Sequence, residues 1–231
     1  MTRPRRSPST AFALALIVGV AACGGSDDDA GEGEGDAGEA AGVAVVAERC
    51  IVRLHGKGGS GAPATIGEDG IAVLSPDGNG TGWGGLQWEY DTEAGLDAGV
   101  DAITAAADGA GCERVVVHGF SNGASMAAAM LCSGDDLGGR LDGVVIDDPV
   151  TDASTQPCAP ADVQIAVYWT GALDETAPPG TQCDTIDWTC EGGVVRGIDV
   201  FTADIGVAAT ASPFDDHQWY VDSPLPVTWL A

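Results

Sequence analysis

The stretch that most constrains the fold is Arg114-Val115-Val116-Val117-His118-Gly119-Phe120-Ser121-Asn122-Gly123-Ala124-Ser125-Met126-Ala127-Ala128-Ala129-Met130. Consecutive valines with no alternating polar position describe a strand buried on both faces. The Ala- and Met-rich segment that follows, 122–131, is a good helix former. A chain that passes so abruptly from buried strand to helix must turn sharply, and Gly119 and Gly123, two residues either side of Ser121, leave room for the two elements to approach. A doubly buried strand feeding a helix belongs to a mostly parallel sheet covered by helices on both faces.

The rest of the chain repeats this grammar. Short β-branched runs at 51–54, 71–74, 114–118, 143–146 and 163–169 read as strands, with 198–201 a weaker sixth. The segment 92–107 carries Leu96, Val100, Ile103 and Ala107 near helical spacing. The expected class is therefore α/β, a mostly parallel central sheet flanked by helices. The Gly-rich segment 75–90, with Trp83 and Trp88, reads as an irregular loop after a strand, its aromatics packing over the loop in preference to lining a cleft. No internal repeat is evident.

The N-terminus is of another kind. Arg3, Arg5 and Arg6 precede an apolar stretch, 11–22, too short to span a bilayer and laid out like an export signal. It ends in Val20-Ala21-Ala22-Cys23, which resembles the lipobox of bacterial lipoproteins, in which the cysteine is acylated and becomes the mature N-terminus. Residues 24–42 are almost entirely Gly, Ala, Ser, Asp and Glu, a composition that cannot bury apolar surface and suits a solvated tether. The expected organisation is a signal at 1–22, an acidic tether at 23–42 and one folded domain at 43–231, exported and anchored by lipid at Cys23 to the outer face of the cell envelope.

The formal net charge of −26 excludes nucleic acid as an expected partner, since phosphate binding needs clustered Lys and Arg. Seven cysteines are present. With Cys23 assigned to lipid, Cys50, Cys112, Cys132, Cys158, Cys183 and Cys190 form an even set in an exported chain and are disulfide candidates. Cys183 and Cys190 are close enough for a local staple, Cys50 and Cys112 each sit just before an expected strand, and Cys132 and Cys158 remain as the third pair. The absence of a CxxC pair argues against a zinc site, and no metal is expected.

With 35 glycines among 231 residues, a Gly-x-Ser-x-Gly pentapeptide arises by chance in roughly one such chain in four. Its weight comes from the strand before it and the helix after it, the arrangement of a nucleophile elbow. Such a turn projects the Ser121 hydroxyl above the sheet, beside a helix N-terminus that favours developing negative charge.

Together, Leu54-His55-Gly56-Lys57-Gly58-Gly59 after an early strand and Gly119-Phe120-Ser121-Asn122-Gly123 resemble the esterase branch of the α/β-hydrolase fold, and are similar to small carboxylesterases and to the polyhydroxybutyrate depolymerase and feruloyl esterase group. The resemblance implies an oxyanion hole built from the backbone N–H groups of Lys57 and Asn122. It also implies chain order Ser, acid, His. Of the three histidines, His55 belongs to the oxyanion turn and His118 is too near Ser121 along the chain to act as its base, which leaves His217. The turn Gly171-Ala172-Leu173-Asp174-Glu175-Thr176-Ala177-Pro178 resembles the family's acid-bearing turn, making Asp174 the first choice for the triad acid, with Asp147 or Asp148 as the rival.

The expected activity is cleavage of carboxylic esters through an acyl-enzyme, with no cofactor. Only fourteen residues follow His217, leaving little for a terminal helix, and the leading strands of the full fold are missing. The absence of a long insertion after 146 suggests no large cap and hence an open site that admits bulky or polymeric esters. A peptidase or acyltransferase using the same triad, and a cell-surface binding lipoprotein without turnover, are the alternative readings.

Overall fold

The computed structural model describes residues 45–82, 84–150, 162–170, 202 and 205–231. Strands β1 (Arg49–Leu54), β2 (Ala62–Ile66), β3 (Ile71–Ser75), β6 (Arg114–Phe120), β7 (Leu141–Asp147), β8 (Gln164–Trp169) and β9 (Ala209–Ala211) form one sheet in the order β2-β3-β1-β6-β7-β8-β9. Every pairing is parallel except that of β2 with β3. Helices α1 (Glu93–Ala110), α2 (Asn122–Ser133) and α3 (Leu225–Leu230) complete the described elements, with a separate hairpin of β4 (Gly80–Gly82) and β5 (Gly85–Gln87).

All five of the stronger β-branched runs are strands, and the mostly parallel sheet flanked by helices is the expected class. The sixth run, 198–201, lies outside the described residues. Three features differ from the sequence reading. First, 75–90 is not wholly irregular, because it contains the β4–β5 hairpin, whose three-residue, Gly-rich strands carry no hydrophobic alternation. Second, β2 is an exposed antiparallel edge strand whose residues lack a buried face. It returns to β3 through a tight turn in which the Gly67 N–H donates to the Ile71 carbonyl and Gly70 takes a left-handed φ of 74°. Third, the exposed edge strand β9 has no counterpart in the sequence reading; the fourteen residues after His217 hold only the six-residue helix α3, whose last residue, Leu230, is fully buried.

Alternation along the strands divides the core in two. Cys50, Val52, Leu54, Val115, Val117, Val144 and Ile146 point to the face covered by α1 and α2. Ile51, Ile71, Val116, Val145 and Tyr168 point to the opposite face, against Leu230 of α3. Helix α1 starts at Thr92, whose hydroxyl accepts the Gly95 N–H at 3.0 Å, and stops at Gly111, left-handed at φ 71°. The Gly95, Gly99, Ile103 and Ala107 stripe of α1 is buried, a spacing of four that keeps one side on the core.

Cys50 and Cys112 form a disulfide, tying the start of β1 to the loop before β6. Both are buried, so the bond closes the bottom of the sheet, away from the strand C-termini. Cys132 is also disulfide-bonded; Cys23, Cys158, Cys183 and Cys190 lie outside the described residues.

Candidate active site

The strand–turn–helix at the sheet centre has the geometry of a nucleophile elbow. Ser121 sits at φ 53° and ψ −118°, a region that non-glycine residues rarely occupy and that stores backbone strain. Its N–H donates to the Asp147 carbonyl at 3.0 Å, and its carbonyl accepts the Ser125 N–H at 3.1 Å, so the residue is fixed between β7 and the first turn of α2. Although it occupies the N-cap position of α2, its hydroxyl makes no capping hydrogen bond. The flanking glycines are required by space. A Cβ on Gly119 would stand 2.2 Å from the Gly123 carbonyl oxygen, and one on Gly123 would stand 2.2 Å from that of Leu54.

The second contact of the elbow is the turn after β1. A Cβ on Gly56 would meet the Ser121 Cβ at 3.3 Å, so the His55-Gly56 backbone lies directly on the nucleophile candidate. His55 holds this turn: its Nε2 accepts the Gly78 N–H at 3.2 Å, which leaves the proton on Nδ1 to donate to the Gly56 carbonyl at 2.8 Å. With both ring nitrogens engaged, His55 is a structural residue, as expected. The β4–β5 hairpin braces the same turn, through Gly58 N–H to Leu86 O at 2.8 Å and Leu86 N–H to Gly59 O at 2.9 Å. The Lys57 side chain runs along that hairpin, its Cε close enough to Gly82 that a Cβ there would stand 2.9 Å away.

Asn122 follows Ser121 as the first residue of α2, so its N–H has no acceptor within the helix. Its side chain has a role the sequence reading did not assign. Oδ1 accepts the Trp88 N–H at 2.6 Å and Nδ2 donates to the Trp88 carbonyl at 3.1 Å. That pair of hydrogen bonds clamps Trp88, whose side chain is buried in the core. Trp83 lies outside the described residues.

His217 is brought to the C-terminal ends of β6 and β7 and stacks on Phe120, the neighbour of Ser121, at a centroid distance of 4.7 Å. Its Nδ1 hydrogen-bonds Asp148 Oδ2 at 2.5 Å. Asp148, one of the two rival acids, is fully buried and held in place by the loop after β8: the Thr170 N–H donates to Oδ1 at 3.1 Å and the Thr170 hydroxyl to Oδ2 at 2.7 Å. It too has a positive φ, 48°, and its own N–H donates to the Tyr168 carbonyl. Asp174 lies outside the described residues. Asp147, the other rival, points to the opposite side of the strand, where Oδ2 accepts the Tyr220 N–H.

Burial lowers the pKa of His118 below its ordinary value of 6.5, and Arg53 adds to the effect while Asp147 opposes it. His118 is therefore a neutral core residue. Among the described residues, no group of His, Cys, Asp and Glu could hold a metal ion.

The chain resembles several solved structures. A carboxylesterase from Bacillus cereus shares 19% identity over 79% of this chain and 87% of its own, with a TM-score of 0.48. A carboxylesterase from Mesorhizobium loti shares 17% over 81% and 89%, with a TM-score of 0.44. An Agrobacterium tumefaciens protein of unknown function shares 19% over 80% and 91%, with a TM-score of 0.47. A likeness at this level says nothing about activity. Neither a protein-family model nor a curated protein sequence matches the chain.

Proposed function

We propose that this protein is a serine hydrolase that cleaves carboxylic esters through an acyl-enzyme, with Ser121 as nucleophile, His217 as general base and Asp148 as the triad acid. The observation that carries the reading is the buried Asp148 carboxylate hydrogen-bonded to His217 Nδ1, while the same imidazole stacks against the residue preceding a strained serine. A hydrogen bond at Nδ1 leaves Nε2 as the basic nitrogen, the tautomer a serine base needs.

In the reaction, His217 Nε2 takes the Ser121 proton as Oγ attacks the ester carbonyl. Charge then develops on the carbonyl oxygen, and the Lys57 and Asn122 backbone N–H groups are the donors assigned to it. His217 returns the proton to the leaving alcohol, and a water activated by the same imidazole releases the acyl group. Asp148 stabilises the imidazolium formed in each half without taking the proton. Asp148 replaces Asp174 in this reading because its contact with His217 is direct and its carboxylate is pre-oriented by Thr170.

Ser121→Ala tests the proposal. It should abolish hydrolysis of p-nitrophenyl acetate and labelling by a fluorophosphonate probe, and retained turnover would overturn it. An ester chain-length series, run beside amide and thioester substrates, then ranks the leaving groups.

We also assign the protein to the outside of the cell, tethered by lipid on Cys23. The buried Cys50–Cys112 disulfide supports an oxidising compartment. No helix among the described residues is long and apolar enough to cross a membrane.

A further inference from the structure

The face of the sheet that carries α3 is apolar at its base and polar at its top. Beyond Ile51, Val116 and Val145, the alternation brings Arg53, His118 and Asp147 to the same face, and Tyr168 of β8 stands in register with Asp147. Each of these four side chains, one from each of four neighbouring strands, grips the segment that follows His217. Arg53 donates to the Val221 carbonyl at 3.0 Å, His118 Nε2 accepts the Trp219 indole N–H at 3.1 Å, Asp147 accepts the Tyr220 N–H, and the Tyr168 hydroxyl meets that of Ser223 at 3.2 Å.

Polar groups are a poor choice for a face that needs only to pack. His118 and Asp147 are fully buried, and His118 Nδ1 and Asp147 Oδ1 have no hydrogen-bond partner, a desolvation cost that apolar residues would avoid. Packing of the segment is incomplete: Tyr220 packs against Tyr168 and Phe214, but its other side is open. A cavity of about 400 Å³ lies beside it, lined by Ile51, Arg53, His118, Val221 and Pro224 among others.

We propose that His118 and Asp147 are positioning residues for His217, fixing the backbone and indole of Trp219–Tyr220 so that the imidazole stays between Asp148 and Ser121. The proposal rests on His217 being the base. The consecutive carboxylates Asp147 and Asp148 divide the work: Asp148 binds the ring of His217 and Asp147 binds the chain three residues on. Trp219 adds a lateral contact, because Phe120 stacks on both Trp219, at 5.7 Å, and His217, at 4.7 Å.

The arrangement specifies a protonation state. An indole N–H only donates, so His118 Nε2 must accept and the ring is neutral with its proton on Nδ1. Protonation would set two N–H groups against each other across the Trp219 contact and turn Nε2 toward Asp147 Oδ2, 3.7 Å away. The charged groups facing His118 are Asp147 on β7 and Arg53 on β1, with Asp222 acting on Arg53. Helix α3 contributes none.

Trp219→Phe removes the indole donor and keeps a ring to stack on Phe120, and His118→Gln keeps an acceptor without a titrating ring. On p-nitrophenyl acetate, Trp219→Phe should lower kcat by about 10- to 100-fold, the scale of a misplacement near 1 Å, with KM within about twofold. His118→Leu should do the same, and His118→Gln should restore most of the lost kcat. Thermal melts of the same proteins separate loss of fold from loss of position, and Trp219→Phe decides the question if His118→Leu does not fold. Parent-like kcat in Trp219→Phe, with Ser121→Ala inactive, overturns the positioning role and leaves the hydrolase reading intact. Activity in Ser121→Ala overturns both.

Discussion

Replacing Asp148 with asparagine removes one charge and almost no volume, which makes it the sharpest probe of the candidate triad. The carboxylate accepts from three donors at once, Thr170 N–H and hydroxyl and His217 Nδ1. An asparagine can present its oxygen to His217 only by turning its NH₂ toward the Thr170 N–H. In the other orientation the NH₂ faces Nδ1, which then becomes an acceptor and leaves the proton on Nε2, where it blocks removal of the Ser121 proton. The electrostatic loss is of similar weight. Imidazolium and carboxylate centres about 4 Å apart attract by about 4 kcal/mol at an effective dielectric of about 20. At about 1.4 kcal/mol per decade this is about a thousandfold in rate. We therefore expect Asp148→Asn to lower kcat for p-nitrophenyl acetate about 10³-fold, with fluorophosphonate labelling slowed to match and KM little changed. Asp174→Asn, measured alongside, should stay within about tenfold of the parent. The reverse pattern, with Asp174→Asn collapsing and Asp148→Asn active, would refute the assignment.

Three further outcomes follow from the fold. The Cys50–Cys112 bond spans a sequence separation of 62 residues, for which loop-closure entropy gives about 4 kcal/mol; Cys50→Ala/Cys112→Ala should lower Tm by roughly 10 °C in a domain this size. Gly123→Ala should leave no folded, active protein, since its Cβ would stand 2.2 Å from the Leu54 carbonyl oxygen, whereas Gly109→Ala, in helix α1 with open space around it, should raise stability by about 0.5–1 kcal/mol in urea titrations. His118, whose pKa is lowered by burial, binds a proton more readily unfolded than folded, so its contribution to stability is complete above 6.5 and is lost as pH falls below that value. Urea midpoints from pH 7.5 to 4.5 should decline less steeply in His118→Gln than in the parent, and equal slopes would show that His118 is not the group responsible.

The features that could be read from the chain alone are those whose cause is local. Strand, serine turn and helix are contiguous at 114–130, and the β-branched runs, each buried on both faces, announce themselves without reference to any neighbour. His55 and His118 could be set aside as bases for the same reason, by their place in a turn and at a strand end. Elements without a one-dimensional signature escaped notice: β2 has no buried face, β4 and β5 are glycine-rich triplets, and β9 is an exposed edge strand.

The carboxylate was not legible because it is a matter of distance across the fold. Asp148 and Asp174 both follow strand-like runs, and either satisfies the order Ser, acid, His. What places Asp148 against His217 is the parallel pairing of β7 with β8, which brings Thr170 onto its oxygens, together with the anchoring of residues 219–223 on the far face of the sheet. Sequence by itself determined the parallel α/β architecture and the position of the serine, since both arise from interactions within a few residues. Only the tertiary structure brings Asp148 against His217 and fastens residues 219–223 to the far face of the sheet, because those contacts join residues 55 and more positions apart.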